Sequence, residues 1–350
     1  MKRRNFIKTI STASIAASAF PKSFSDRSSN PKFKKLTKPP KLKQGDTIAL
    51  ITPGSYITEE EKIESINSIR SLGFNVTFSV RLMQKNGFFS ATDEERAKDL
   101  NDMFERKDVQ GIICARGGYG CARILPYLDY DLIQDNPKPL IGFSDVTALH
   151  YAIYKNCNLV TFHGPVSIST FSKFSVKNFE DVLINPTFEL TLKNSSTDTN
   201  YNPYGITVIS DGTAEGELIG GNLTLAVSLI GTDYDLDYSG KIIFLEEFLE
   251  EPYRIDRMLT QMIQAGKFED VEGIALGVFK LCESDKSNPS FSNSYNLMEV
   301  LKDRLGSLGI PVVYGLSFGH VADKFTIPFG VRAELNTKNQ QLKLLEPAVI

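Results

Sequence analysis

The sequence predicts an α/β protein built in two halves. Three observations carry that expectation. Short apolar strands alternate with capped amphipathic helices, glycine turns follow the strand ends, and one polar stretch divides the series in two. At 350 residues the chain is long enough for two domains that each bury a core.

Gly45 to Ile51 is a buried strand that ends in a Thr-Pro-Gly turn. Thr58 with Glu61 forms a capping box, and Ile63, Ile66 and Leu72 follow on a helix that stops at Gly73. Phe74 to Phe78 is the next strand. A second capping box at Thr92 and Glu95 opens a helix with Ala97, Leu100, Met103 and Phe104 on its core face. Gly111 to Ala115 is a strand that runs into a glycine loop, Pro139 to Phe143 is a short strand before a helix from about Asp145, and Leu159 to Phe162 is one more strand. This alternation implies a parallel sheet covered on both faces.

Residues 186–212 are polar and lack a helical period, so they read as the linker between domain 44–185 and domain 213–350. In the second half, Gly216 to Gly221 leads into a helix from Asn222, and Lys241 to Leu245 is a buried strand. Pro252 then opens a helix with the apolar stripe Ile255, Met258, Leu259, Met262 and Ile263 and a stop at Gly266. Gly273 to Phe279 and the stretch around Pro311 to Tyr314 are further strands. No internal repeat is present.

Residues 1–20 read as an address rather than fold. Lys2, Arg3, Arg4 and Lys8 precede a short apolar stretch and Ala17-Ser18-Ala19, the three parts of a bacterial export signal. The twin arginine and modest hydrophobicity favour the twin-arginine route to the periplasm; an uncleaved basic tail is the alternative. The stretch is too short to span a bilayer, so no stable membrane insertion is expected. Residues 21–43, rich in Lys, Ser and Pro, read as a flexible tether.

Composition narrows the function. Hydrophobic residues at 41% and charged residues at 23% are those of a globular protein. Removing the signal takes the formal charge from −3 to −7, which argues against nucleic acid as a partner. Four Cys without a CxxC pair, and no HExxH, point to neither a metal nor a disulfide framework. No cofactor motif of the GxGxxG or GxxxxGK[ST] type occurs.

Only three histidines exist: His150, His163 and His320. The sharpest nucleophile is Ser144, where an apolar strand runs through Gly142-Phe143 straight into a helical pattern. This resembles a nucleophile elbow, although Val146 stands where a second glycine is usual. A plain helix N-cap is the competing reading of Ser144. The N–H of Asp145, at the helix start, suits an oxyanion. His150 lies six residues on, roughly 120° off the Ser144 face, and is read as packing. His163 and His320 both follow strands and stay open as the base. Glu246 ends an apolar strand and is the candidate acid; a solvated acidic loop with Glu247, Glu250 and Glu251 is the alternative. The loop Arg116-Gly117-Gly118-Tyr119-Gly120 could cradle phosphate or serve an oxyanion.

The blocks Ala115 to Gly120, Ile141 to Thr147, His163-Gly164-Pro165, Gly220 to Thr224, Leu245 to Arg257 and Gly319-His320, in that order, resemble the LD-carboxypeptidase family of serine peptidases. The resemblance runs from about Leu42 to the C-terminus. It implies a flavodoxin-like N-terminal domain, a swivelling C-terminal β/α domain and an active site between them. It implies Ser144 as nucleophile, Glu246 as acid and His320 as base, with Gly118 and the Asp145 N–H as oxyanion donors. The implied substrate is a murein tetrapeptide that loses its terminal D-Ala, and homodimers are common in the family. By charge, Arg116 and Arg254 are the candidates for the substrate carboxylate. The cytoplasmic recycling role usual in the family sits awkwardly with an export signal. Two other readings stay open: a family hydrolase of peptidyl-nucleotide antibiotics, and an exported two-domain ligand-binding protein without catalysis.

Overall fold

The computed structural model describes residues 36–194, 204–285 and 287–350. The expected export signal and residues 21–35 of the tether lie outside them. The first series comprises β1 (Thr47–Ile51), α1 (Glu59–Ser71), β2 (Asn75–Phe78), α2 (Asp93–Glu105), β3 (Gly111–Cys114), α3 (Cys121–Ile124), α4 (Tyr130–Asp135), β4 (Leu140–Gly142), α5 (Thr147–Cys157), β5 (Thr161–His163) and α6 (Lys173–Leu183). Both expected capping boxes form, at Thr58 with Glu61 and at Thr92 with Glu95. The strands lie in the order β2-β1-β3-β4-β5, all parallel, which is the flavodoxin-like order. β1, β3 and β4 carry near-continuous apolar runs, and β5 is buried throughout, because helices cover both faces of the sheet. Order reverses at β1, so the loops after β1 and β3 part and open a crevice at the carboxyl edge.

The second series comprises β6 (Thr191–Lys193), β7 (Thr207–Ser210), β8 (Thr213–Asn222), α7 (Leu223–Ser228), β9 (Lys241–Phe248), α8 (Pro252–Gln264), β10 (Gly273–Lys280), α9 (Leu297–Leu305), β11 (Val312–Gly319), β12 (Ile327–Phe329), β13 (Arg332–Asn336) and β14 (Gln341–Leu344). Its sheet runs β6-β14-β13-β8-β9-β10-β11-β7, with β8 to β11 parallel and antiparallel strands on either side. The α8 stripe buries Ile255, Leu259 and Met262, while Ile263 is turned half outward.

Three features depart from the sequence expectation. Residues 186–212 are not merely a linker, because β6 and β7 within them close the two edges of the second sheet. Edge strands need a backbone partner but not two apolar faces: β6 buries only Leu192, and the β-branched run of β7 was read with the polar stretch before it. Residues 36–43 are packed rather than tethering: Leu42 is fully buried, the Thr37 N–H donates to the Asn158 carbonyl at 2.8 Å, and Lys41 N–H donates to the Ile350 carbonyl at 2.8 Å. Finally, β12 leaves the second series and pairs antiparallel with β5, Ile327 opposite His163, so the last third of the chain completes the first sheet. A second tie joins the halves where the Asn222 N–H donates to Thr147 Oγ1 at 3.0 Å.

His150 illustrates how tightly this core is set. It is fully buried on α5, with Nε2 2.9 Å from the Gly142 carbonyl and Nδ1 2.9 Å from Thr161 Oγ1. The carbonyl can only accept, so Nε2 carries the proton and Nδ1 accepts from the threonine hydroxyl. Burial lowers its pKa to about 4, against the pull of the Gly142 carbonyl. The unfolded chain takes up this proton near pH 6.5 and the folded protein only near 4, so stability falls as pH drops through that window. The expected loss at pH 4 is on the order of 3 kcal/mol from this residue. Urea midpoints measured from pH 7 to pH 4 should therefore fall steeply for the native chain and less so for His150→Gln; equal slopes would contradict the assignment.

Candidate active site

The site starts at the end of β4. Phe143 is extended, and Ser144 then adopts φ 63°, a left-handed conformation that a residue with a side chain takes only under local constraint. A 3₁₀ turn from Ser144 to Val146 passes directly into α5. No side chain caps either helix start, so Ser144 is not the N-cap that the plainer reading offered. The missing second glycine has a physical explanation. Val146 folds back over Gly142, where a Cβ would stand 2.9 Å from Val146 Cγ1, so the small residue is needed at 142 and not at 146.

The turn is clamped by its neighbour. Asp145 is buried, and its Oδ2 accepts the Cys121 N–H at 2.8 Å. Burial pushes its carboxyl up, while the N–H groups of Cys121 and Gly120 pull the other way. The carboxylate thus ties the glycine loop after β3 to the elbow, a role that sequence reading missed. Gly117 presses closest to the elbow, since a Cβ there would lie 3.0 Å from Ser144 Cβ and 3.1 Å from the Asp145 nitrogen. Gly118 instead abuts Ser55, whose Oγ accepts the Tyr119 N–H at 3.1 Å. Arg96, on α2 and buried, braces both loops through the Pro53 carbonyl and the Gly120 carbonyl, the latter at 3.0 Å.

Glu246 and His320 come from strands that flank β10. Glu246, near the end of β9, has no exposed surface, and its Oε2 accepts a hydrogen bond from His320 Nδ1 at 2.8 Å. His320 follows β11 directly. Gly319 before it holds φ +100°, and a Cβ there would lie 2.8 Å from Glu246 Oε2, so only glycine permits the approach. Burial alone would raise the Glu246 carboxyl, but the charge and hydrogen bond of His320 outweigh it and hold the group below the usual carboxylate range. The contact fixes the proton on Nδ1 and leaves Nε2 as the free acceptor. The imidazole stacks on Phe248, with centroids 4.5 Å apart, and meets the edge of Phe143 at 4.9 Å. Phe143 precedes Ser144, so the imidazole and the elbow share one wall. Among the described residues no hydrogen bond joins Ser144 to His320.

The other sequence candidates separate. His163 is buried among Phe143, Phe244 and Phe318, and burial lowers its pKa to about 3, so it is a neutral core group. Glu247, expected among solvated acids, is buried and holds the start of α7, accepting the Thr224 N–H and hydroxyl at 2.7 Å each and Asn222 Nδ2 at 2.9 Å. Arg116 is paired with Glu61 at 3.2 Å, and Arg254 with Glu250 at 3.5 Å. Neither lines the pocket of about 280 Å³ beside His320, whose wall includes Phe143, Thr170, Phe248, Lys280 and Lys324. The two lysines were not singled out in the sequence, where Lys280 ends the apolar run of β10 and Lys324 follows Asp323 in a loop. Among the described residues no group of three metal-ligating side chains converges, and no helix is long and apolar enough to cross a membrane.

Comparison with known proteins fits this geometry. Residues 48–164 match the model of the LD-carboxypeptidase N-terminal domain, and residues 215–335 match that of the LD-carboxypeptidase C-terminal domain. A probable murein peptide carboxypeptidase of Bacillus subtilis is 36% identical over 309 residues, which cover 86% of this chain and 92% of the relative. The microcin C7 self-immunity protein MccF of Escherichia coli is 29% identical over 87% of this chain and 94% of its own length. The crystal structure of muramoyltetrapeptide carboxypeptidase from Oxalobacter formigenes superposes with a TM-score of 0.73 at 33% identity, covering 85% of this chain and 97% of that one. With both domain models matched in order, and with relatives aligned over most of its length, the chain belongs to the LD-carboxypeptidase family.

Proposed function

We propose that this protein is an exported serine-type LD-carboxypeptidase that removes the terminal D-Ala from murein tetrapeptides. One observation carries the mechanism: the 2.8 Å contact of Glu246 with His320 beside the left-handed Ser144 turn. The names of the Bacillus and Oxalobacter relatives support the substrate class.

In this reading Ser144 Oγ attacks the carbonyl carbon at the L-centre while His320 Nε2 takes its proton. The Asp145 N–H, with a donor from the Gly117-Gly118 loop, holds the tetrahedral oxyanion. His320 then gives the proton to the departing amine, the C–N bond breaks, and D-Ala leaves an acyl-enzyme on Ser144. Water, deprotonated by the same imidazole, releases the shortened peptide. Glu246 keeps the imidazole in the productive tautomer and stabilises its cation. The left-handed turn and the clamped loop pre-set the nucleophile, so little reorganisation is needed at the moment of attack. Similarity to MccF supports a second reading, hydrolysis of a peptidyl-nucleotide.

The activity is read by mass spectrometry on a murein tetrapeptide containing diaminopimelate. The native chain should release one D-Ala. Ser144→Ala should lose about 10⁴-fold or more in kcat, and Glu246→Gln on the order of 10³–10⁴-fold, both with unchanged far-ultraviolet circular dichroism. Turnover of a peptidyl-nucleotide but not of the tetrapeptide would favour the second reading. Export is read separately by cell fractionation. Replacing Arg3 and Arg4 together with lysine should hold the full-length chain in the cytoplasm, and periplasmic recovery of that variant would refute the twin-arginine route.

A further inference from the structure

Lys324 carries a charge that the proposed triad does not use. It lies on the loop after His320 and is 5% exposed, with its backbone N–H donated to Ser175 Oγ at 3.0 Å. Its ammonium sits 4.6 Å from the centroid of Phe143 and reaches the same pocket as His320. Among the described residues it has no carboxylate within salt-bridge distance. Glu246 is the acid that acts on it electrostatically; its Oε2 accepts from His320, and its buried Oε1 has no hydrogen-bond partner, Lys324 included. Lys280 adds a second positive charge to the pocket wall, and no acid lines it. Burial lowers the Lys324 pKa to about 8; Glu246 opposes that, and Lys280 adds to it. A nearly buried ammonium with no bonded counter-ion is costly, and such a group in a cleft marks a place where an anion binds.

We propose that Lys324 receives the α-carboxylate of the residue that leaves. This rests on the carboxypeptidase reading above. In the last residue of a peptide, the scissile nitrogen and the terminal carboxyl carbon are both attached to one Cα. The nitrogen must meet His320, which protonates it on departure, so the carboxylate must be held within a few ångströms of the same imidazole. Lys324 shares a pocket with His320, whereas Arg116 and Arg254 are paired elsewhere. The cation on Phe143 is thus placed one residue beyond the scissile bond, where it selects a chain end over a continuing chain. The site also gives Lys324 its missing counter-charge, and the charge-assisted bond forms out of bulk water, where it is strongest.

The test compares two substrates and two enzymes. The substrates are the tetrapeptide and the same peptide with its terminal carboxylate converted to the amide. The native enzyme should strongly prefer the acid. Lys324→Met keeps the stem but removes the charge, and should lose about 100-fold or more in kcat/KM on the acid, so that the acid-to-amide preference collapses to about one. Lys324→Arg should regain part of that preference. Equal losses by Lys324→Met on both substrates, or an unchanged preference, would overturn the inference while leaving the proposed activity intact. Failure of the native enzyme to cut either peptide would overturn the activity and the inference with it. If Lys324→Met does not fold, inhibition of the native enzyme decides: D-alanine should compete with substrate at least tenfold more strongly than D-alaninamide, and equal inhibition would refute the role.

Discussion

A carboxylate with no exposed surface needs a partner, and for Glu246 that partner is His320. Much of the site follows from this constraint. The bond spans from β9 to the end of β11 across β10, so the parallel order of these strands must be kept. It requires glycine at 319, because a Cβ there would meet the carboxylate. It fixes the imidazole tautomer, and Phe248 stacking fixes the ring plane. The remaining ring nitrogen is then the only basic atom of His320 available to the elbow. Breaking the pair from either side would leave a buried polar group without compensation, which is costlier than the pair is stabilising.

The first sheet supplies the other half. Ser144 is held in a conformation its side chain disfavours, and the surrounding contacts determine that it stays there. Asp145 binds the loop after β3, Val146 closes over Gly142, and His150 bonds the carbonyl at the same glycine. The strained turn, the buried acid and the buried Lys324 lie in one region of the molecule. Stability given up there is recovered in apolar strands such as β3, β4 and β10, which are packed on both faces.

The triad candidates were legible because each sits at a break in an apolar strand. Ser144 marks a change from strand to helix period, Glu246 ends an apolar run, and His320 follows a glycine after a strand. Lys324 was not legible, because a loop lysine next to an aspartate reads as solvated whatever lies behind it. The Asp145 carboxylate was hidden for a similar reason, as an acid at a helix start already has an ordinary explanation. Glu247 looked like its exposed neighbours, and only the position of α7 buries it. β6, β7 and β12 are short strands whose partners lie far along the chain, so no local pattern announces them. The packed stretch 36–43 was masked by its lysines, although Leu42 is fully buried and Leu36 packs against the core.

On the proposed function, the Glu246–His320 pair activates Ser144. The most direct measurement is the rate and position of labelling by a fluorophosphonate, followed by intact-mass analysis and peptide mapping. A single adduct on Ser144 is expected in the native protein, with labelling slowed at least a hundredfold when His320 is replaced by alanine in a chain that still folds. An adduct on another residue, or labelling of Ser144 at an unchanged rate without His320, would contradict it.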